Sequence, residues 1–318
     1  MKETEAPKTI IQMYGEKFLD ISSLSRWNIP DKVAIKAAVV GAFFDRDQNP
    51  NQPYTPEEIK DEAIRCIEVG ATAVHIHVRD EKGMVSGDLE LYKKVILPIK
   101  EKYGDKALID GCAIVGPTFE DQIAPVIAGL FEEAPVNPTT GMLGDTVRVT
   151  PPKFMQLLAD TLQKSGARPN ITVHDTSSID NAKRYLIDTG ILKRPYHFLI
   201  LPALPGLLYM PNQIAMCEAL LFCIHRLREI DPECIISVCA SGRASIYVAT
   251  LAIVMGLHVR IGMEDTIWKY PHKDELVKST SEMVKSAIEI ARQLGREVMT
   301  PNEYRKLVGL NIVMSDLS

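Results

Sequence analysis

From residue 33 onward the chain alternates two patterns with no break in composition between them. β-Branched and apolar runs at 34–41, 72–78, 106–110, 129–132, 169–174, 196–202, 234–240 and 258–263 predict strands. Amphipathic stretches at 55–69, 89–102, 118–128, 151–165, 178–189, 211–230, 244–255 and 273–294 predict a helix after each strand. Strands that alternate with helices form parallel sheets, and eight such units are the number that closes a (β/α)8 TIM barrel. The expected organisation is an N-terminal arm, 1–32, followed by one barrel domain over 33–318. A patch on the arm (Met13, Tyr14, Phe18, Trp27) is expected to pack on the barrel or on a neighbouring subunit. The competing fold is an open doubly wound sheet, but no GxGxxG follows the first strand, which disfavours a dinucleotide-binding version.

Start and stop signals support the helices. Thr55-Pro56-Glu57-Glu58 supplies a capping hydroxyl, a proline at the first helical position and early carboxylates, and Thr150-Pro151-Pro152 opens another helix. Gly70 and Gly295 sit where C-terminal stops belong. The net charge of −5 and the absence of any basic block exclude a nucleic-acid binder. The longest apolar stretch, Ile246 to Val259, is too short for a membrane span and is broken by Gly256 and His258. Met1 to Ile10 lacks the pattern of a secretory signal, and the six cysteines form no CxxC pair, so reduced thiols and a cytoplasmic protein are expected.

Ala73-Val74-His75-Ile76-His77-Val78-Arg79-Asp80 is the sharpest chemical signal. Side chains alternate along a strand, so His75 and His77 share one face and the branched residues share the other. In a barrel, the branched set packs under the helices and both imidazoles face inward, where they can hold one metal ion; two satisfied core histidines are the plainer alternative. His258-Val259-Arg260-Ile261-Gly262-Met263-Glu264-Asp265 ends the last strand with two carboxylates at the barrel mouth. Glu264 can complete a two-His, one-carboxylate set, Asp265 can serve as a base, and Arg260 can orient an acid; a surface acidic pair is the alternative. Ser241-Gly242-Arg243 opens a helix after the seventh run, which suits either an anion or an ordinary capped turn.

These motifs, with Tyr54-Thr55-Pro56-Glu57-Glu58-Ile59 and the ending Leu294-Gly295-Arg296 through Leu310, make residues 33–310 resemble the β-keto acid cleavage enzyme family. The resemblance implies a homo-oligomeric (dimeric or tetrameric) barrel enzyme with one Zn2+ per chain. It implies condensation of a small β-keto acid with acetyl-CoA as co-substrate, giving acetoacetate and a new acyl-CoA. By position, His75, His77 and Glu264 match the family's zinc ligands, Asp265 its base and Arg260 the partner of that base. Thr140 matches a substrate-side threonine. The chain also departs from the pattern. Phe43 stands where the family carries a glutamate for a substrate amino group, and Asp110 falls at the serine beside the base, followed by Gly111-Cys112-Ala113. Thr266 follows Glu264-Asp265, Gly206-Leu207 replaces Gly-Gly, and the fifth strand ends Thr172-Val173-His174-Asp175. Retained metal chemistry with a rebuilt pocket points away from the aminated substrate.

Two other functions fit some of these residues. A metal-dependent amidohydrolase would use the HxH with His174, His197 and Asp265, although its HxH belongs on the first strand and no bridging lysine is evident on the fourth. A non-catalytic metal-binding descendant would explain Phe43, Asp110 and Leu207. A Schiff-base aldolase is disfavoured because no lysine stands out inside a mid-barrel strand.

Overall fold

The computed structural model describes residues 24–143, 146–202 and 210–312. Of the expected arm patch, Met13, Tyr14 and Phe18 lie outside the described residues, and Trp27 is 85% exposed, so it does not pack on its own barrel.

Eight parallel strands close into a barrel: β1 Ile35–Ala38, β2 Ala73–Ile76, β3 Ile109–Gly111, β4 Glu133–Val136, β5 Arg168–Val173, β6 His197–Ile200, β7 Ile235–Val238 and β8 His258–Ile261. Each pairs with its sequence neighbours, and β8 pairs with β1. Around them lie α1 Pro56–Glu68, α2 Leu89–Tyr103, α3 Phe119–Ile127, α4 Pro152–Lys164, α5 Thr176–Ala182, α6 Gln213–Ile230, α7 Ser245–Val254, α8 Thr280–Gln293 and α9 Pro301–Val308. The period-two rule holds: Val74, Ile76 and Val78 join the apolar core between strands and helices, which leaves His75 and His77 to the interior. Thr55 and Glu58 cap α1 reciprocally, as their spacing predicts.

Three elements differ from expectation. The fourth strand runs over 133–136 instead of 129–132, because Glu133 and Pro135 occupy inward positions and disguise it. The last expected helix begins at Thr280, not 273; the Ser279 hydroxyl caps the Glu282 N–H, and Lys269 holds the preceding loop through Glu275 and Glu282. α5 begins at Thr176 and widens into a π-turn over 183–187.

The sequence also conceals a floor. Lys32–Val33 pairs with Glu297–Val298, and α9 follows. From α9, Tyr304 and Val308 pack on Ala34, Ala73, Leu108 and Ile235, plugging the N-terminal end of the barrel. Above the plug lies a charged layer. Lys36 Nζ is 2.7 Å from both Asp110 Oδ2 and Glu133 Oε2. Glu133 also contacts His197 Nδ1 at 2.5 Å and accepts from Tyr304 OH at 3.1 Å. Lys36 is thus a lysine inside a barrel strand, contrary to the expectation. Its two carboxylates outweigh burial and hold its pKa above the ordinary value, so it stays a protonated strut and not a Schiff-base nucleophile.

Candidate active site and metal centre

With the floor closed, the cavity that holds the histidines lies at the C-terminal ends of the strands, where barrel enzymes carry their chemistry. Its volume is about 220 Å³. His75 is the penultimate residue of β2, and His77 follows one alternation later, just past its end; their rings meet edge to face at 5.1 Å. Glu264 arrives from beyond β8. His75 Nε2 is 3.3 Å from Glu264 Oε2, and His77 Nε2 is 3.4 Å from Glu264 Oε1.

Two glycines make this convergence possible. A Cβ on Gly262 would lie 2.0 Å from the Ala38 carbonyl oxygen, so only glycine lets the chain after β8 press against β1. A Cβ on Gly41 would lie 2.1 Å from Glu264 Cγ, so Gly41 leaves the space that the glutamate fills.

The trio has the chemistry of a divalent-cation site. One ligand atom from each residue falls within 4.8 Å of the others. A tetrahedral zinc with bonds of about 2.1 Å has donor–donor edges of about 3.4 Å, which the His75 Nε2 to Glu264 Oε2 distance matches, while His77 Nε2 faces the other oxygen of the same carboxylate. Glu264 Oε2 is buried without a hydrogen bond, as expected of an atom reserved for a ligand. His75 Nδ1 lies 3.1 Å from Asp110 Oδ2, an ion-pair distance off the line of a hydrogen bond, with the carboxylate behind the ring as ligating histidines commonly have it. Although burial raises the Glu264 carboxyl, Arg260, His75 and His77 hold it well below the ordinary range, so it is ionised.

Arg260 organises the acidic pair. Its Nε donates to Asp265 Oδ2 at 3.0 Å, and its Nη2 donates to Asp265 Oδ1 at 2.8 Å and Glu264 Oε1 at 2.5 Å. Asp265 is fully buried behind Glu264, outside the cavity lining, with both oxygens engaged by Arg260. Burial raises its carboxyl above the usual value against the pull of the guanidinium.

The other expected site residues are spread more widely. Phe43 is on the cavity wall, 42% exposed. Asp110, expected beside the base, sits instead behind His75, tied to Lys36 and away from the cavity. Thr140 is exposed on a rim hairpin, where its Oγ1 accepts from the Thr150 N–H at 2.8 Å. Ser241 is buried, and the Gly242 N–H is already donated to the Asp265 carbonyl at 2.7 Å. Arg243 stacks 3.8 Å from the Trp268 ring, pairs with Asp274 and faces a separate groove with Asn212, Tyr247 and His272. The turn over 241–243 forms as expected, but these three residues do not line the metal cavity.

His174 and His197 stand outside the metal cluster among the described residues, and His197 belongs to the layer around Glu133, so the two-metal hydrolase arrangement is not assembled. Sequence reasoning missed Cys112, Asn137 and Arg148 as lining residues. Cys112, whose thiol lies against His77, is two residues beyond the inward Asp110, and Asn137 is two beyond the inward Pro135. Period-two counting from correctly placed strands would have found both; Arg148 enters from a hairpin, and no periodicity reveals it.

A family profile described as beta-keto acid cleavage enzyme matches residues 32–310. The chain belongs to the β-keto acid cleavage enzyme family. A 3-keto-5-aminohexanoate cleavage enzyme from Acetoanaerobium sticklandii is 31% identical over 283 residues, covering 88% of this chain and 99% of its own length. A 3-dehydrocarnitine:acetyl-CoA trimethylamine transferase from Rhizobium meliloti is 25% identical over 302 residues, covering 88% of this chain and 97% of its own. Among solved structures, apo ObcA superposes with a TM-score of 0.71 at 21% identity, over 83% of this chain and 66% of that one, a likeness of fold. In this β-keto acid cleavage family member, no helix among the described residues is long and apolar enough to cross a membrane.

Proposed function

We propose that this family member condenses a β-keto acid with acetyl-CoA, releasing acetoacetate and carrying off the remaining acyl group as its CoA thioester. The observation that carries this reading is the convergence of His75, His77 and Glu264 at the mouth of the barrel. Membership of the family and the acetyl-CoA-dependent transferase among the relatives support it. A zinc ion held by those three side chains would act as a Lewis acid on the ketone of the substrate. Asp110 positions His75 from behind, and Lys36 fixes Asp110. Asp265 is the base that takes a proton from the methylene between the ketone and the carboxylate of the β-keto acid; that carbon bonds to the thioester carbonyl of acetyl-CoA and expels CoA thiolate. The thiolate adds to the ketone carbon, the bond between that carbon and the acetylated carbon breaks, and the released carbanion takes back a proton, leaving acetoacetate and the new acyl-CoA. Arg260 holds both Asp265 oxygens as well as Glu264 Oε1, so the role of Asp265 as base requires one of its oxygens to be freed when substrate binds. Phe43, in place of a carboxylate, leaves that wall without a counterion for a substrate ammonium group.

Asp265→Asn tests the assignment. It preserves shape and removes the base. The expected result is one zinc per chain, as in the wild type, with turnover lower by about 10²–10⁴-fold. A variant that holds its zinc and turns over β-keto acid with acetyl-CoA at the wild-type rate would overturn the role of Asp265. A zinc-loaded wild type that consumes no β-keto acid across a broad panel would overturn the reaction.

A further inference from the structure

The wall of the cavity opposite the metal cluster carries a polar set that the reaction leaves unused. The cluster comes from β2 and β8, which flank β1; the facing side of the closed barrel is β4, β5 and β6. Asn137, just beyond β4, and Thr172, on β5, line that side. Both are more than nine-tenths buried, and the Thr172 hydroxyl has no hydrogen-bond partner. A buried donor left unpaired costs about 1–3 kcal/mol, so this hydroxyl on the cavity wall points to a ligand that accepts from it.

Arg148 joins them from the rim hairpin. Its recorded bond is from Nε to Thr150 Oγ1 at 3.3 Å, and among the described residues no carboxylate pairs with it. A half-buried guanidinium without a counterion is unusual, since desolvated charges are normally paired. His174 adds no competing charge. Burial lowers its pKa to about 4, and its Nδ1 lies 3.1 Å from the Leu201 carbonyl, to which it can only donate. Glu264 is the one carboxylate lining the cavity among the described residues, and it faces the histidines across from this wall.

We infer that Arg148, Asn137 and Thr172 form a subsite for a second carboxylate, so that the preferred substrate is a β-keto dicarboxylic acid. The inference rests on the proposed reaction for the other end of the substrate: the β-keto acid end is held at the metal cluster, and the distal carboxylate crosses to the far wall. There the Arg148 fork, the Asn137 amide and the Thr172 hydroxyl can all donate to it. An ω-ammonium group would meet a cation and an aromatic rim instead.

The test is equilibrium binding of unreactive acids to the zinc-loaded protein by calorimetry, with adipate as the dicarboxylate and hexanoate as its monocarboxylate match. The wild type should bind adipate at least tenfold more tightly than hexanoate. Arg148→Met should bring the two within about twofold of each other, and Arg148→Lys should restore part of the difference. Equal binding in the wild type, or a preference that survives Arg148→Met, would overturn the subsite. Turnover assays separate the two claims. An adipate preference that depends on Arg148, in a protein that turns over no β-keto acid, sinks the reaction and upholds the subsite. Turnover of monocarboxylic β-keto acids without any dicarboxylate preference does the reverse.

Discussion

Gly41→Ala is a one-methyl perturbation aimed at the metal centre from outside the ligand set. Gly41 does not adopt a left-handed backbone, so alanine costs nothing in φ, and the effect is steric. The added Cβ would lie 2.1 Å from Glu264 Cγ and 2.9 Å from Cδ, where ordinary contact begins at 3.4 Å. The Glu264 side chain must therefore retreat by about 1.3 Å at Cγ. Metal sites tolerate only about 0.2 Å in ligand distance, so the carboxylate leaves the place where it meets His75 and His77. Zinc affinity should fall by at least the 10–100-fold typical of lost ligand support. Overpacking should also cost the metal-free protein about 1–3 kcal/mol. Competition with a chromophoric chelator measures the first effect, and urea unfolding of the metal-free protein the second. Gly141→Ala, with open space around its Cβ, is the control and should bind zinc as the wild type does. Wild-type zinc affinity in Gly41→Ala would refute the reasoning.

Two further predictions concern the barrel interior. His258 is buried, accepts the Ala34 N–H at Nδ1, and has its pKa lowered to about 3, first by burial and then by nearby cations. Its neutral form is favoured on folding, so its contribution is complete above pH 6.5 and is lost as pH falls toward 3. Up to about 5 kcal/mol is involved. Urea unfolding of metal-free protein across that window should show a shallower decline for His258→Gln, and parallel curves would contradict this. Lys36→Met would leave the buried Asp110 and Glu133 carboxylates without their shared cation, at a cost of about 3–5 kcal/mol in unfolding free energy. A loss below about 1 kcal/mol would show that the layer is not held by charge.

The barrel was legible wherever a strand put branched residues outward, as Val74 and Ile76 do, because helix-facing positions must be apolar whatever the interior holds. It was obscured at β4, where Glu133 and Pro135 break the apolar run yet serve the interior, Glu133 as a partner of Lys36. α9 was missed because its contribution to the floor rests on Tyr304 and Val308, too few positions to stand out in a polar segment. At the site, alternation alone placed His75 beside His77; Glu264 reaches the barrel mouth from the turn beyond Ile261, where alternation no longer applies, and Asp265 is buried behind it. The role of Asp110 could not be placed the same way. Its contacts with His75 and Lys36 follow from the register between neighbouring strands, which pattern along one strand does not contain. Arg148 lies beyond such reasoning for a related reason, since the hairpin that carries it is positioned by tertiary packing.

The central claim is that β2 and the segment after β8 bring two imidazoles and one carboxylate onto a single cation. An anomalous difference map, recorded at the zinc edge from crystals grown with zinc, tests it most directly. The account predicts one peak per chain, bonded to Nε2 of His75, Nε2 of His77 and a Glu264 oxygen. A map with no peak there, or with a second peak drawing in His174 or His197, would contradict it.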